Sequence, residues 1–132
     1  MEDNHIDDPR ARAFVAELRR FEQSGDPTDL VALFTDDATA LRLDARGERT
    51  DVTAFWQEYR GQFDRLTTTF HNGVEDSGQV ALEWSSEATL TDGRALSYRG
   101  VTVLDLAGEK IARLRTYYDS AAFVAVPART GA

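Results

Sequence analysis

The order of the residues predicts an α+β domain, with helices first and an antiparallel sheet second. Three observations carry the prediction. Two Asp-Pro helix starts, Asp8-Pro9 and Asp26-Pro27, stand early in the chain, and a third helical stripe follows at Val52, Phe55, Trp56, Tyr59 and Phe63. From Thr67 onward come four stretches rich in β-branched and aromatic residues. The joints between them are short and carry glycine, which marks hairpins: Asp76-Ser77-Gly78, Asp92-Gly93 and Ala107-Gly108-Glu109.

Each element has its own signal. Asp8 is placed to cap the first helix, and Pro9 suits the first helical position because its missing N–H would be unpaired there anyway. Phe14, Val15, Leu18 and Phe21 form one apolar stripe among charged residues, and Gly25 ends the helix. The second helix carries Leu30, Val31, Leu33 and Phe34; the third begins near Thr50-Asp51. A first strand is expected at residues 38–44, between the second and third helices. The later strands are expected at residues 67–74, 79–90, 94–106 and 110–119. The ends, before about residue 9 and after about 123, read as loose flanks of one domain covering residues 1–132.

Composition narrows the classes. A chain of 132 residues makes one domain. There is no cysteine, which removes disulfides, thiolate metal sites and cysteine nucleophiles. Only two histidines, His5 and His71, are present, so neither a metal site nor a cofactor is expected. With 15 basic and 23 acidic residues the net charge is −8, which disfavours nucleic acid and anionic membrane surfaces as partners. No apolar run reaches the roughly 20 residues of a membrane helix, and the acidic start lacks the regions of a signal peptide. A cytoplasmic protein is the simplest expectation.

Pairing arithmetic sorts the sheet faces. A two-residue Asp92-Gly93 turn sets Glu87 opposite Tyr98 and Glu83 opposite Thr102. A two-residue Ser77-Gly78 turn sets Asn72 opposite Glu83 and Phe70 opposite Ser85. A three-residue loop at Ala107-Gly108-Glu109 adds Leu114, Thr116 and Tyr118 to the same face. His71, Trp84, Val101, Val103, Arg113, Arg115 and Tyr117 fall on the other. Hydrophobic counting on residues 79–90 alone gives the opposite answer: Leu82 and Trp84 inward, Glu83 and Glu87 in water.

The segment from Gly100 to Asp119, ending in Ile-Ala-Arg-Leu-Arg-Thr-Tyr-Tyr-Asp, resembles the last hairpin of SnoaL-like proteins of the nuclear transport factor two-like superfamily. Phe34-Thr-Asp-Asp-Ala38, Phe55-Trp56 and Phe70-His71 fit the same family, over about residues 11–123. The resemblance implies a cone-shaped α+β barrel: three N-terminal helices packed in a curved, mostly antiparallel sheet around a pocket. It also implies a homodimer through the outer sheet face, with Trp84, Val101, Val103 and Tyr117 against a second copy and His71 beside them. Limonene epoxide hydrolase, a relative, works water with an Arg, an Asp two residues on and an Asp on the last strand. By register those positions are Glu83, Ser85 and Thr116 here, and its first-strand Tyr and Asn fall at Ala40 and Arg42, so its mechanism is not implied.

On this reading the function is to bind a small hydrophobic molecule in the cone. The alternative is a cofactor-independent isomerase, dehydratase, hydrolase or cyclase using a pocket glutamate as general acid or base. The catalytic candidates are Glu83, Glu87 and Tyr98; the ligand-binding candidates are Arg42, Trp56, Phe70, Asn72, Ser85, Leu114, Thr116 and Tyr118. Glu83 and Glu87 lie roughly 13 Å apart by strand rise, too far to share a proton. The bland alternative is a buried ion pair of Arg42 with one of them. Asp119 is expected to anchor the end of the last strand.

Overall fold

A computed structural model describes residues 6–42 and 47–124. The acidic start with His5, the end of the expected first strand beyond Arg42 and the C-terminal tail lie outside them. The helices are α1 (Pro9–Ser24), α2 (Thr28–Val31) and α3 (Val52–Arg60). The strands are β1 (Phe34–Arg42), β2 (Phe63–Asp76), β3 (Gln79–Leu90), β4 (Ala95–Ala107) and β5 (Lys110–Tyr118), followed by a 3-10 turn, Ser120–Phe123.

Local chemistry sets the helix ends. The Asp8 carboxylate accepts from the amides of Arg10 and Ala11, and Gly25 closes α1 at φ +76°. Asp51 accepts from the amide of Ala54 at the start of α3. α2 is shorter than expected: it stops at Val31, and Phe34 already belongs to β1. Phe63, read from its spacing as helical, begins β2 after α3 ends at Arg60.

The sheet runs β1-β5-β4-β3-β2. β2 to β5 form the expected antiparallel meander, and β1 adds to β5 in parallel, with Ala40 opposite Leu114 and Arg42 opposite Thr116. The sheet is curved but does not close; α1 packs on β2, and α3 packs near β1. The core between helices and sheet includes Phe14, Phe21, Phe55, Phe70, Leu82, Leu104 and Leu114, each at most 1 % exposed. Among the described residues no helix is long and apolar enough to cross a membrane.

Three registers differ from the arithmetic. Leu90 N donates to Arg94 O at 2.9 Å, so the β3–β4 loop has three residues, Thr91, Asp92 and Gly93, with Gly93 at φ +91°. The register moves by one: Ser86 faces Tyr98 and Glu87 faces Ser97. A one-residue slip exchanges the faces of a strand. Trp84, Ser86 and Ala88 therefore point inward and are buried, while Glu83 and Glu87 are exposed on the outer face. The second difference is a bulge at His71, between the pairs Phe70–Trp84 and Asn72–Glu83. It keeps Phe70 inside and leaves Asn72 outside. At the β4–β5 end the turn has two residues, Gly108 and Glu109, rather than three, and a bulge between Asp105 and Leu106 adds a second step, so Leu104 faces Leu114 instead of Ala112 and the face is preserved.

Trp84 is thus not part of an outward apolar face. Its ring lies over Gly100, where an added Cβ would come within 2.5 Å of Trp84 Cζ2. Of the apolar residues expected against a second copy, Val101 and Val103 are half-buried and Tyr117 is exposed on the outer face.

Candidate functional site

The interior of the cone holds a small cavity of about 30 Å³, large enough for a water molecule. Its wall combines Leu18 and Glu22 of α1, Arg42 of β1, and Phe55, Trp56 and Tyr59 of α3 with inward residues of β2 to β5. Five of the expected ligand-binding residues meet here: Arg42, Trp56, Phe70, Thr116 and Tyr118. Leu114 faces inward and is fully buried, but in the core rather than at the wall.

The remaining expected residues are elsewhere. Glu83 and Glu87 are exposed on the outer face, and the inward orientation on which their acid–base role was argued does not hold. Asn72 does meet Glu83, at 3.2 Å, but in solvent. Ser85 also faces outward and binds His71 Nε2 at 2.7 Å. Arg42 is buried but pairs with neither Glu83 nor Glu87. It donates to the carbonyl of Phe55 at 3.0 Å, lies 4.5 Å over the Phe55 ring and approaches Glu58 at 3.6 Å. Tyr98 is inward and buried, and its partner is Tyr59, hydroxyl to hydroxyl, not Glu87.

The buried acid of the cone is Glu22. It is 3 % exposed, and its carboxylate accepts from the amide of Thr68 at 3.0 Å and from the Thr68 hydroxyl. Burial pushes its pKa up to about 7; the Thr68 hydrogen bonds and the charges of Arg60 and Arg19 offset part of that rise. Arg60 Nε donates to Glu22's own backbone carbonyl at 2.8 Å, so the guanidinium is committed to the main chain. The Thr68 hydroxyl also meets Ser86 at 2.6 Å, and Ser86 stands opposite Tyr98 on the neighbouring strand. A line of hydroxyls therefore runs from Glu22 through Thr68 to Ser86, and the Tyr98–Tyr59 pair is bonded beside it. Burial raises both phenols above their ordinary range, so they stay protonated donors.

A second polar line crosses the sheet. Trp84 Nε1 donates to Thr102 Oγ1 at 2.9 Å, and Thr102 meets Thr116 at 2.9 Å. Phe123, in the 3-10 turn, covers Tyr98 and Tyr118 with ring centroids 4.8 and 5.7 Å away. Arg94 holds that turn through the Phe123 carbonyl at 2.9 Å. Among the described residues no group of three or more His, Asp or Glu is placed to hold a metal.

Glu22, Tyr59, Thr68, Trp84, Ser86 and Thr102 were not singled out from the sequence as site residues. For Glu22 a signal existed: it lies four residues after Leu18 and seven after Val15, on the apolar stripe of α1. For Trp84 and Ser86 the signal was the alternation on β3, which the assumed turn length overrode.

The model of the SnoaL-like domain family matches residues 11–114. No curated protein matches the chain. Among solved structures, an NTF2-like protein from Anabaena variabilis superposes with a TM-score of 0.79 at 18 % identity, covering 89 % of this chain and 91 % of that one. TerC co-crystallised with polyporic acid gives 0.75 at 15 % identity, covering 88 % and 95 %. Wild-type IdmH from Streptomyces antibioticus, a proposed polyketide cyclase, gives 0.69 at 21 % identity, covering 87 % and 95 %. At these identities the structural likeness speaks for the fold alone.

Proposed function

Because this chain belongs to the SnoaL-like domain family, we propose that its cone binds a small, largely apolar molecule beside Glu22. The observation that carries the reading is the buried carboxyl at the cavity wall, hydrogen-bonded only by uncharged donors and titrating near 7. A carboxyl kept in an apolar wall without a paired cation costs stability, and such groups concentrate at working sites. The co-crystallisation of TerC with polyporic acid supports an organic small molecule as the kind of ligand. A ligand larger than a water needs more than the 30 Å³ of this cavity, and displacement of Phe123, which packs on Tyr118 of its wall, would add room.

A second reading, acid–base catalysis without a cofactor, is favoured by the same pKa. Near pH 7 Glu22 is divided between its two forms, which is the condition for taking a proton from a bound molecule and returning it. Tyr59 and Tyr98 would donate hydrogen bonds, and Thr68 holds the carboxyl in place. In this reading Glu22 takes the part expected of Glu83 or Glu87.

The test is a panel of neutral apolar compounds followed by NMR on wild type and Glu22→Gln. Shifts at Trp56, Tyr59 and Tyr118 are expected with bound compounds. Shifts confined to outer-face residues such as Arg99 and Tyr117 would overturn the reading. Turnover of any panel member that survives Glu22→Gln would remove the catalytic version and leave the binding one.

A further inference from the structure

The hydrogen bonds of the cavity wall leave one buried polar side-chain atom without any partner among the described residues. Glu22 and Thr68 serve each other, Tyr59 is bonded to Tyr98, and Trp84, Thr102 and Thr116 form their own line. Arg42 is engaged by Phe55 and Glu58. Among the described residues Trp56 Nε1 is the one buried side-chain polar atom of the wall with no partner within the protein. The side chain is 5 % exposed, and its ring is packed by Phe14, Phe21, Phe55 and Tyr59 at centroid distances of 5.3 to 6.4 Å. It has no freedom to turn and find an acceptor elsewhere. Buried donors are rarely left unpaired, because losing the hydrogen bond to water is not repaid.

An indole N–H donates and never accepts. Whatever completes it must present an acceptor. We propose that Trp56 Nε1 is the group that reads the ligand, and that the ligand is a compact, neutral, mostly apolar molecule bearing a carbonyl-type oxygen. This rests on the reading of the cone as a ligand site. The charge of the ligand follows from the wall. An anion would meet the ionised share of Glu22, while Arg42 is already occupied. A cation would meet Arg42 and would leave the Trp56 donor unanswered. A pure hydrocarbon would bury the N–H without an acceptor. A carbonyl oxygen answers it and brings no further donor of its own.

The chain has two tryptophans, so its NMR spectrum has two indole N–H signals, assigned by Trp56→Phe. The probes are cyclopentanone and methylenecyclopentane, which share a shape and differ in the oxygen, with tetramethylammonium and acetate as charged controls. Cyclopentanone is expected to bind about tenfold more tightly than the alkene and to move the Trp56 signal downfield, while the Trp84 signal stays with Thr102. Trp56→Phe is expected to abolish the ketone's advantage without abolishing binding of the alkene. Equal binding of the two probes by wild type, or tighter binding of either ion, would overturn the inference and leave the cone reading standing. So would a ketone preference that persists in Trp56→Phe. If no probe moves any inward-facing signal, the cone reading itself fails and the inference falls with it. If Trp56→Phe does not fold, the two wild-type arms decide alone.

Discussion

Glu22 makes the stability of this protein fall as pH rises from acid to neutral, against the direction set by its other shifted carboxylates. Its pKa is about 7 in the folded chain against 4.5 for the free group. Between those values the folded state keeps a proton that the unfolded state has lost, so stability declines with rising pH. The gap amounts to about 3 kcal/mol once the carboxylate is fully ionised. Most of it, about 2 to 3 kcal/mol, falls between pH 5 and pH 8. Asp8, Asp26, Glu48 and Asp105 are lowered by their hydrogen-bond partners and ion pairs. Their contribution is present above the ordinary carboxylate range and is lost only as pH falls through their depressed values, outside this window. Glu22→Gln imitates the protonated form: its amide oxygen accepts from the Thr68 amide, and its NH2 donates to the Thr68 hydroxyl, which still reaches Ser86. Urea unfolding of wild type and Glu22→Gln at pH 5 and pH 8 isolates the effect. The variant is expected to gain about 2 to 3 kcal/mol on wild type at pH 8 relative to pH 5, or roughly 10 °C in Tm. Parallel curves for the two proteins would mean that Glu22 ionises as easily folded as unfolded, and the argument for a working carboxyl would go with that result.

Gly100→Ala places a Cβ 2.5 Å from Trp84 Cζ2 and 2.6 Å from the Tyr117 carbonyl, and the carbonyl cannot yield. A loss on the order of 3 kcal/mol is expected in urea unfolding, with a changed Trp84 fluorescence; a neutral substitution would contradict the inward Trp84. Glu83→Gln and Glu87→Gln should each change stability by less than about 0.5 kcal/mol and leave ligand binding untouched, as exposed outer-face residues do. Loss of binding in either would restore them to the site. Phe123→Ala uncovers Tyr98 and Tyr118 and should strengthen binding of cyclopentanone-sized probes at a cost of about 1 to 2 kcal/mol in stability. Unchanged binding, measured by the same NMR titration, would show that the turn does not close the cone.

The helices and the meander were legible because their signals are local. Asp8, Asp51 and Gly25 state helix ends within one turn of chain, and each of the three hairpin joints carries a glycine at positive φ. The faces of β3 were not legible from the turn, because Asp92-Gly93 fits both a two-residue turn and a three-residue loop with glycine in the left-handed region. One residue decides between them, and it exchanges Glu83 and Glu87 for Trp84 and Ser86. The apolar alternation of Leu82, Trp84, Ala88 and Leu90 carried the correct answer, since burial of several large side chains outweighs the preference of one turn.

Glu22 was harder to see for a different reason. A glutamate at the margin of an apolar helix stripe is ordinarily read as a side chain that lays its methylenes on the core and lifts its charge into water. Here β2 crosses α1 at that point, and Thr68 presents an amide and a hydroxyl to the carboxylate inside the sheet. The spacing within α1 places Glu22 on the stripe, and only the tertiary crossing decides that its carboxylate goes inward. Local consistency is the rule for sequences that fold to one structure, and its exceptions concentrate where a protein works. Glu83 and Glu87 obey that rule, being charges on the outer positions of an alternating strand. Glu22 breaks it, at a cost that rises with pH, in the same cavity wall as a tryptophan N–H that has no partner among the described residues. A buried carboxyl and an indole N–H without a partner among the described residues, both in the wall of one small cavity, are the two features on which the proposed ligand site rests.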